Sequence, residues 1–130
     1  MERVTGGCLC GKLRITATGR PWRVGLCHCR DCRKHHGALF HASAIFPEGA
    51  VSIESEVRDY QGRFFCANCG SPVLGRTEDE IEVNLGSLDE PDQFMPSYEL
   101  WTCRRESWLP RFPGPREYQT DRDTRGRFEE

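Results

Sequence analysis

Cys27-His28-Cys29-Arg30-Asp31-Cys32-Arg33-Lys34 sets three thiols within six residues, closer than three independently buried cysteines would fall. Two shorter groups flank it at a distance, Cys8-Leu9-Cys10 and Cys66-Ala67-Asn68-Cys69-Gly70. Seven of the eight cysteines therefore stand in tight local groups, and only Cys103 is alone. Cys-x-Cys and Cys-x-x-Cys pairs aim several sulfurs at one point, which is ligand spacing, whereas a disulfide scaffold spreads its cysteines along the chain. A disulfide framework also needs an oxidising compartment. The opening residues Met1-Glu2-Arg3-Val4-Thr5-Gly6-Gly7 carry no apolar secretory core, so the reading is metal binding in a reducing, cytoplasmic setting.

Composition points the same way. At 130 residues the chain is expected to form one domain, yet only 37% of it is hydrophobic, with 13 Gly and 8 Pro. So thin a core calls for a covalent or metal staple. The net charge of −2 argues against a nucleic-acid partner, since such modules carry a basic excess. No apolar run approaches the ~20 residues of a membrane span.

Working outward from the central cluster, the fold class reads as all-β with short strands. Leu13, Ile15 and Ala17 alternate with polar residues, the period of a half-buried strand, and Pro21 ends it. Trp22–Leu26 leads into the cluster, and 29–36 reads as one turn of helix or an irregular loop. The run 38–46 suits a core strand closed by Pro47-Glu48-Gly49. Further strands are expected at 51–53, 57–60, 63–65, 73–74 and over Ile81, Val83 and Leu85. Tyr98–Cys103 is expected as the last strand. The domain is drawn as 1–112, followed by a loose polar tail over 113–130.

The sulfurs divide by count. A closed structural zinc takes four ligands, often two pairs from separate loops, and Cys8/Cys10 with Cys66/Cys69 supply them. In the Cys66–Cys69 turn, backbone N–H groups should point at the first sulfur, with Gly70 in a conformation other residues avoid. Cys27, Cys29 and Cys32 remain as three ligands, the arrangement of a zinc with one open position. The alternative is a closed site completed by His28, His35, His36, His41 or Cys103. Three thiolates blunt the Lewis acidity of a zinc, so thiol binding or exchange suits this centre better than water activation. Arg30, Arg33 and Lys34 beside it either attract an anionic ligand or form an ordinary solvated turn. His35 and His36 read as surface residues, His41 as a satisfied strand histidine, Trp101 and Trp108 as core or pocket wall, and Cys103 as buried and inert.

Gly6-Gly7-Cys8-Leu9-Cys10-Gly11, the 27–34 cluster and Phe64-Phe65-Cys66-Ala67-Asn68-Cys69-Gly70-Ser71-Pro72 together resemble the glutathione-dependent formaldehyde-activating enzyme family, which also contains centromere protein V. The late Pro96, Leu100-Trp101 and Trp108 resemble its C-terminal signature more loosely. The resemblance implies an Mss4-like β-tent with two zinc ions, one structural on Cys8, Cys10, Cys66 and Cys69 and one on Cys27, Cys29 and Cys32. It also implies carbon–sulfur lyase chemistry on an adduct of glutathione and formaldehyde, S-hydroxymethylglutathione. The partner class is a small-molecule thiol such as glutathione or its aldehyde adduct. The alternative is a non-catalytic zinc protein that binds thiols or a protein partner. Glu99 stands where members of that family commonly carry His, so a role of that His does not transfer.

Overall fold

Alternation at Leu13, Ile15 and Ala17 is realised as a strand whose inward residues are fully buried while its intervening residues face outward. The computed structural model describes residues 2–123 and 126–129. Its strands are β1 (Arg3–Gly7), β2 (Arg14–Thr18), β3 (Arg23–Cys27), β4 (His41–Pro47), β5 (Val51–Glu54) and β6 (Val57–Tyr60), with one α-helix, α1 (Arg30–His36), between β3 and β4. They continue as β7 (Arg63–Cys66), β8 (Pro72–Thr77), β9 (Glu80–Asn84), β10 (Tyr98–Leu100) and β11 (Arg116–Glu117). A three-stranded sheet runs β1-β2-β5, and an eight-stranded sheet runs β11-β10-β3-β4-β9-β8-β7-β6. Pairing is antiparallel except that β10 lies parallel to both β3 and β11. The all-β reading therefore holds, with 29–36 settled as helix. Gly37, at φ 61°, ends that helix in the left-handed region where glycine costs least.

Both sheets feed one core. Leu13, Ile15 and Ala17 from the small sheet pack with Val24, Phe46, Val73, Leu74 and Val83 from the large one. Close packing reaches the backbone at Gly25 on β3. A Cβ there would lie 2.3 Å from two atoms of the Tyr98 ring, and that ring is itself buried. Gly25→Ala is expected to push β10 away from β3 and cost about 1–3 kcal/mol. Urea unfolding checks this; an unchanged midpoint would show that the ring is free to yield.

Two expectations at the C-terminal end need correction. The strand expected over Tyr98–Cys103 stops at Leu100, because Trp101 takes φ 56° and opens a 3₁₀ turn, Thr102–Arg104. Nor is the tail loose where it is described. β11 pairs with β10, Tyr118 is buried, and the Trp101 and Thr102 amides donate to the Thr120 and Tyr118 carbonyls. Arg122 pairs with Glu129 at 3.0 Å, and the Arg127 guanidinium lies 4.4 Å over the Trp22 ring. The charges that made this segment look solvated find partners both within it, as Arg122 with Glu129, and far from it, as Arg127 with Asp79, and its backbone covers an otherwise open strand edge.

Candidate metal centres

Cys8 leaves the end of β1 and Cys66 ends β7, so each hairpin delivers a sulfur pair at its tip. The sulfurs of Cys8, Cys10, Cys66 and Cys69 all lie within 4.8 Å of one another. Cys8 and Cys10 are 3.6 Å apart, and Cys10 and Cys66 are 3.8 Å apart. Zinc–sulfur bonds of about 2.3 Å at tetrahedral angles set sulfurs about 3.8 Å apart, so the group fits a zinc. A disulfide needs about 2.05 Å, and all eight cysteines are free thiols.

Backbone amides donate to these sulfurs. The Asn68 and Cys69 amides donate to Cys66 Sγ at 3.3 and 3.4 Å, and the Leu13 amide donates to Cys8 Sγ at 3.2 Å. Gly70 sits at φ 81°, the conformation expected of it. Ser71 ties the two tips together, accepting from the Leu9 amide at 3.1 Å and lying 3.1 Å from Cys69 Sγ. Hydrogen bonding by Ser71 leads the causes that bring the Cys69 thiol down to about 5.

The second group joins Cys27 at the end of β3, Cys29 at the N-cap of α1 and Cys32 within the helix, again within 4.8 Å. The Cys27 thiol is lowered to about 6, chiefly by a hydrogen bond from Cys32, and the same contact pushes Cys32 up. Three sulfurs this close cannot all be thiolates without a cation among them, and a divalent ion would discharge the three together. Among the described residues, no histidine and no fourth cysteine joins this group.

Each residue weighed as a completing ligand lies elsewhere. His28 turns away from the sulfurs into the core, where its Nε2 lies 2.9 Å from Glu99 Oε1 and both side chains are fully buried. Arg105 stands behind Glu99 at 3.4 Å and also meets Glu117 at 3.3 Å. His41 is buried on β4 with Nε2 2.8 Å from Glu82 Oε1, as a satisfied strand histidine should be. His36 is not a free surface residue: its ring stacks on His41 at 4.0 Å and 6°. Burial, then the neighbouring His41 and His35, lowers His36 to about 4. Cys103 is exposed, against the expectation of burial, and Trp108 is exposed and outside the core. The 3₁₀ turn after Trp101 is what swings Cys103 outward.

Cys32 borders a cavity of about 140 Å³ together with His35, His36, Arg63, Glu82 and Asn84. Sequence reasoning missed Arg63 and Glu82. Glu82 occupies an outward position in an alternating strand and Arg63 precedes two phenylalanines, so neither carried a signal of its own. Their meeting depends on β7, β8 and β9 lying side by side with α1 over them.

The model of the family described as glutathione-dependent formaldehyde-activating enzyme matches residues 3–104. That range holds every cysteine and both sulfur groups. The fold is also similar to that in a crystal structure of a Rhodobacter sphaeroides protein, with TM-score 0.54 and 18% identity, covering 68% of this chain and 91% of that one. At that identity the likeness concerns fold alone. Two sulfur groups, ordered along the chain as the motifs require, and a match over most of its length together place this chain in the glutathione-dependent formaldehyde-activating enzyme family.

Proposed function

We propose that this chain is a two-zinc protein and a carbon–sulfur lyase acting on an adduct of a small thiol and formaldehyde, of the S-hydroxymethylglutathione type. Cys8, Cys10, Cys66 and Cys69 hold a structural zinc, and Cys27, Cys29 and Cys32 hold a zinc with one open position. The observation that carries the reading is the second group: three sulfurs without a fourth protein donor among the described residues, one of them bordering a polar cavity. A zinc bound there would supply a soft site for a thiolate, with little power to activate water.

The chain's own residues do the rest. Cys32 directs the cavity to the sulfur centre, while Asn84 and the neutral His36 offer hydrogen bonds to a small hydroxyl or carbonyl. In the synthetic direction the thiol sulfur bonds to the formaldehyde carbon, and the carbonyl oxygen takes the proton that the thiol gives up. In the lyase direction the carbon–sulfur bond breaks and the hydroxyl proton returns to sulfur. No oxidant or reductant enters the step in either direction.

Exchange NMR of glutathione, formaldehyde and their adduct tests this. Acceleration over the spontaneous rate is expected with the two-zinc protein and not with Cys29→Ser, whose metal content should fall from two to one. No acceleration by a two-zinc sample, with glutathione still bound, would leave a thiol carrier in place of an enzyme.

A further inference from the structure

Two cavities lie on opposite faces of α1, and volume alone would choose the wrong one. The larger, about 770 Å³, is bordered by Arg30, Arg33, Lys34 and Arg104. At 3.6 residues per turn, positions 30, 33 and 34 share one face of the helix, while 32, 35 and 36 share the opposite one. The large basic cavity therefore lies across the helix from Cys32, and no cysteine borders it. The 140 Å³ cavity lies on the sulfur side.

That small cavity does not end at the helix. It shares His35, Gln61 and Arg63 with a neighbouring groove of about 340 Å³ that extends to Asp31, Lys34 and Tyr60. The two form one path from the Cys32 sulfur to the surface. Of the three charged side chains that border the small cavity, two are already committed. Arg76 is paired with Glu48 at 2.9 Å, and Glu82 is held by His41 at 2.8 Å. Arg63 is the exception. Among the described residues its ion-pair partner is Asp31, 3.8 Å away and 81% exposed, and a contact that long to a solvated carboxylate holds little.

We propose that Arg63 anchors a carboxylate of the thiol ligand, whose sulfur lies at the Cys32 end and whose peptide chain runs out along the groove towards Lys34. This deepens the thiol-site reading above and rests on it. The choice of a carboxylate follows from the guanidinium itself, which forks onto carboxylates with two parallel hydrogen bonds. It stands at the start of β7, the strand that ends at Cys66. Glutathione carries a carboxylate at each end, whereas cysteamine has a thiol and none. The anchor thus selects a peptide thiol over a simple one.

Calorimetric titration of the zinc-loaded protein tests it, using glutathione, S-methylglutathione, which has no free thiol, and cysteamine. Arg63→Gln should weaken glutathione and S-methylglutathione roughly tenfold and remove most of the salt dependence of binding. Cysteamine affinity and zinc content should not change. Arg63→Lys, which keeps the charge and loses the fork, should fall between. Arg30→Gln with Arg104→Gln, on the far side of the helix, should bind glutathione as the native protein does. Native affinity for glutathione in Arg63→Gln and Arg63→Lys overturns the proposal, as does a loss confined to the Arg30/Arg104 variant or a native protein that binds neither glutathione nor S-methylglutathione. Should cysteamine fail to bind while both peptides bind through Arg63, the anchor stands and the metal-thiol reading falls.

Discussion

Cys66→Ser is expected to unfold the protein, and Cys29→Ser to leave it folded with one zinc fewer. Both remove one sulfur, so the contrast tests what each group is for. Cys66 is buried in the core cluster at the end of β7, and its partners Cys8 and Cys10 belong to the other sheet's hairpin. A zinc across that junction closes more than fifty residues of chain between Cys10 and Cys66. Structural zinc supplies on the order of 10 kcal/mol, comparable with the whole 5–15 kcal/mol stability of a domain. A 37% hydrophobic chain has little core with which to replace it. Cys29 is different. Its side chain accepts from the Cys32 amide as the N-cap of α1, and serine is among the best residues for that position. The helix start therefore survives the change while the three-sulfur site does not. Thermal melts followed by circular dichroism, with zinc content on the same samples, check both; equal loss of stability in the two variants would contradict the division.

The second large effect is expected at Glu99, far in sequence from both sulfur groups. Glu99→Ala leaves His28 fully buried without its partner and Arg105 with Glu117 alone. Breaking a buried, hydrogen-bonded charge cluster from one side costs about 3–5 kcal/mol. Glu99→Gln keeps an acceptor for His28 and should cost less, about 1–2 kcal/mol. Because His28 stands between Cys27 and Cys29, the alanine variant should also loosen zinc at the three-sulfur site, whereas the glutamine variant should retain it. Denaturant unfolding and chelator competition measure the two effects. If alanine and glutamine destabilise equally, the hydrogen bond to His28 is not what Glu99 contributes.

Much of this was legible without coordinates because it is local chemistry. Cysteine spacing determined the two sulfur groups, since a Cys-x-x-Cys turn converges its sulfurs through the backbone of four residues whatever surrounds it. Alternating polarity likewise determined the strands at 14–18 and 80–84, because a period of two leaves only one face to bury. The family motifs rest on the same local patterns.

Other features required the chain to fold on itself. The tail's role in closing the β10 edge depends on ion pairs between residues tens of positions apart, such as Arg127 with Asp79 at 3.0 Å, and no periodicity marks such partners. Likewise the sequence leaves His28 as one of five residues that could complete the three-cysteine site, until β10, lying parallel to β3, brings Glu99 to it from seventy-one residues away and turns the imidazole inward. The path from Cys32 to Arg63 exists only because α1 lies over β7, β8 and β9. Sequence alone specified which sulfurs would be grouped, because their spacing is set by covalent geometry; tertiary structure decided which side of the three-sulfur group faces a cavity, because that depends on which distant strands come to stand beside it.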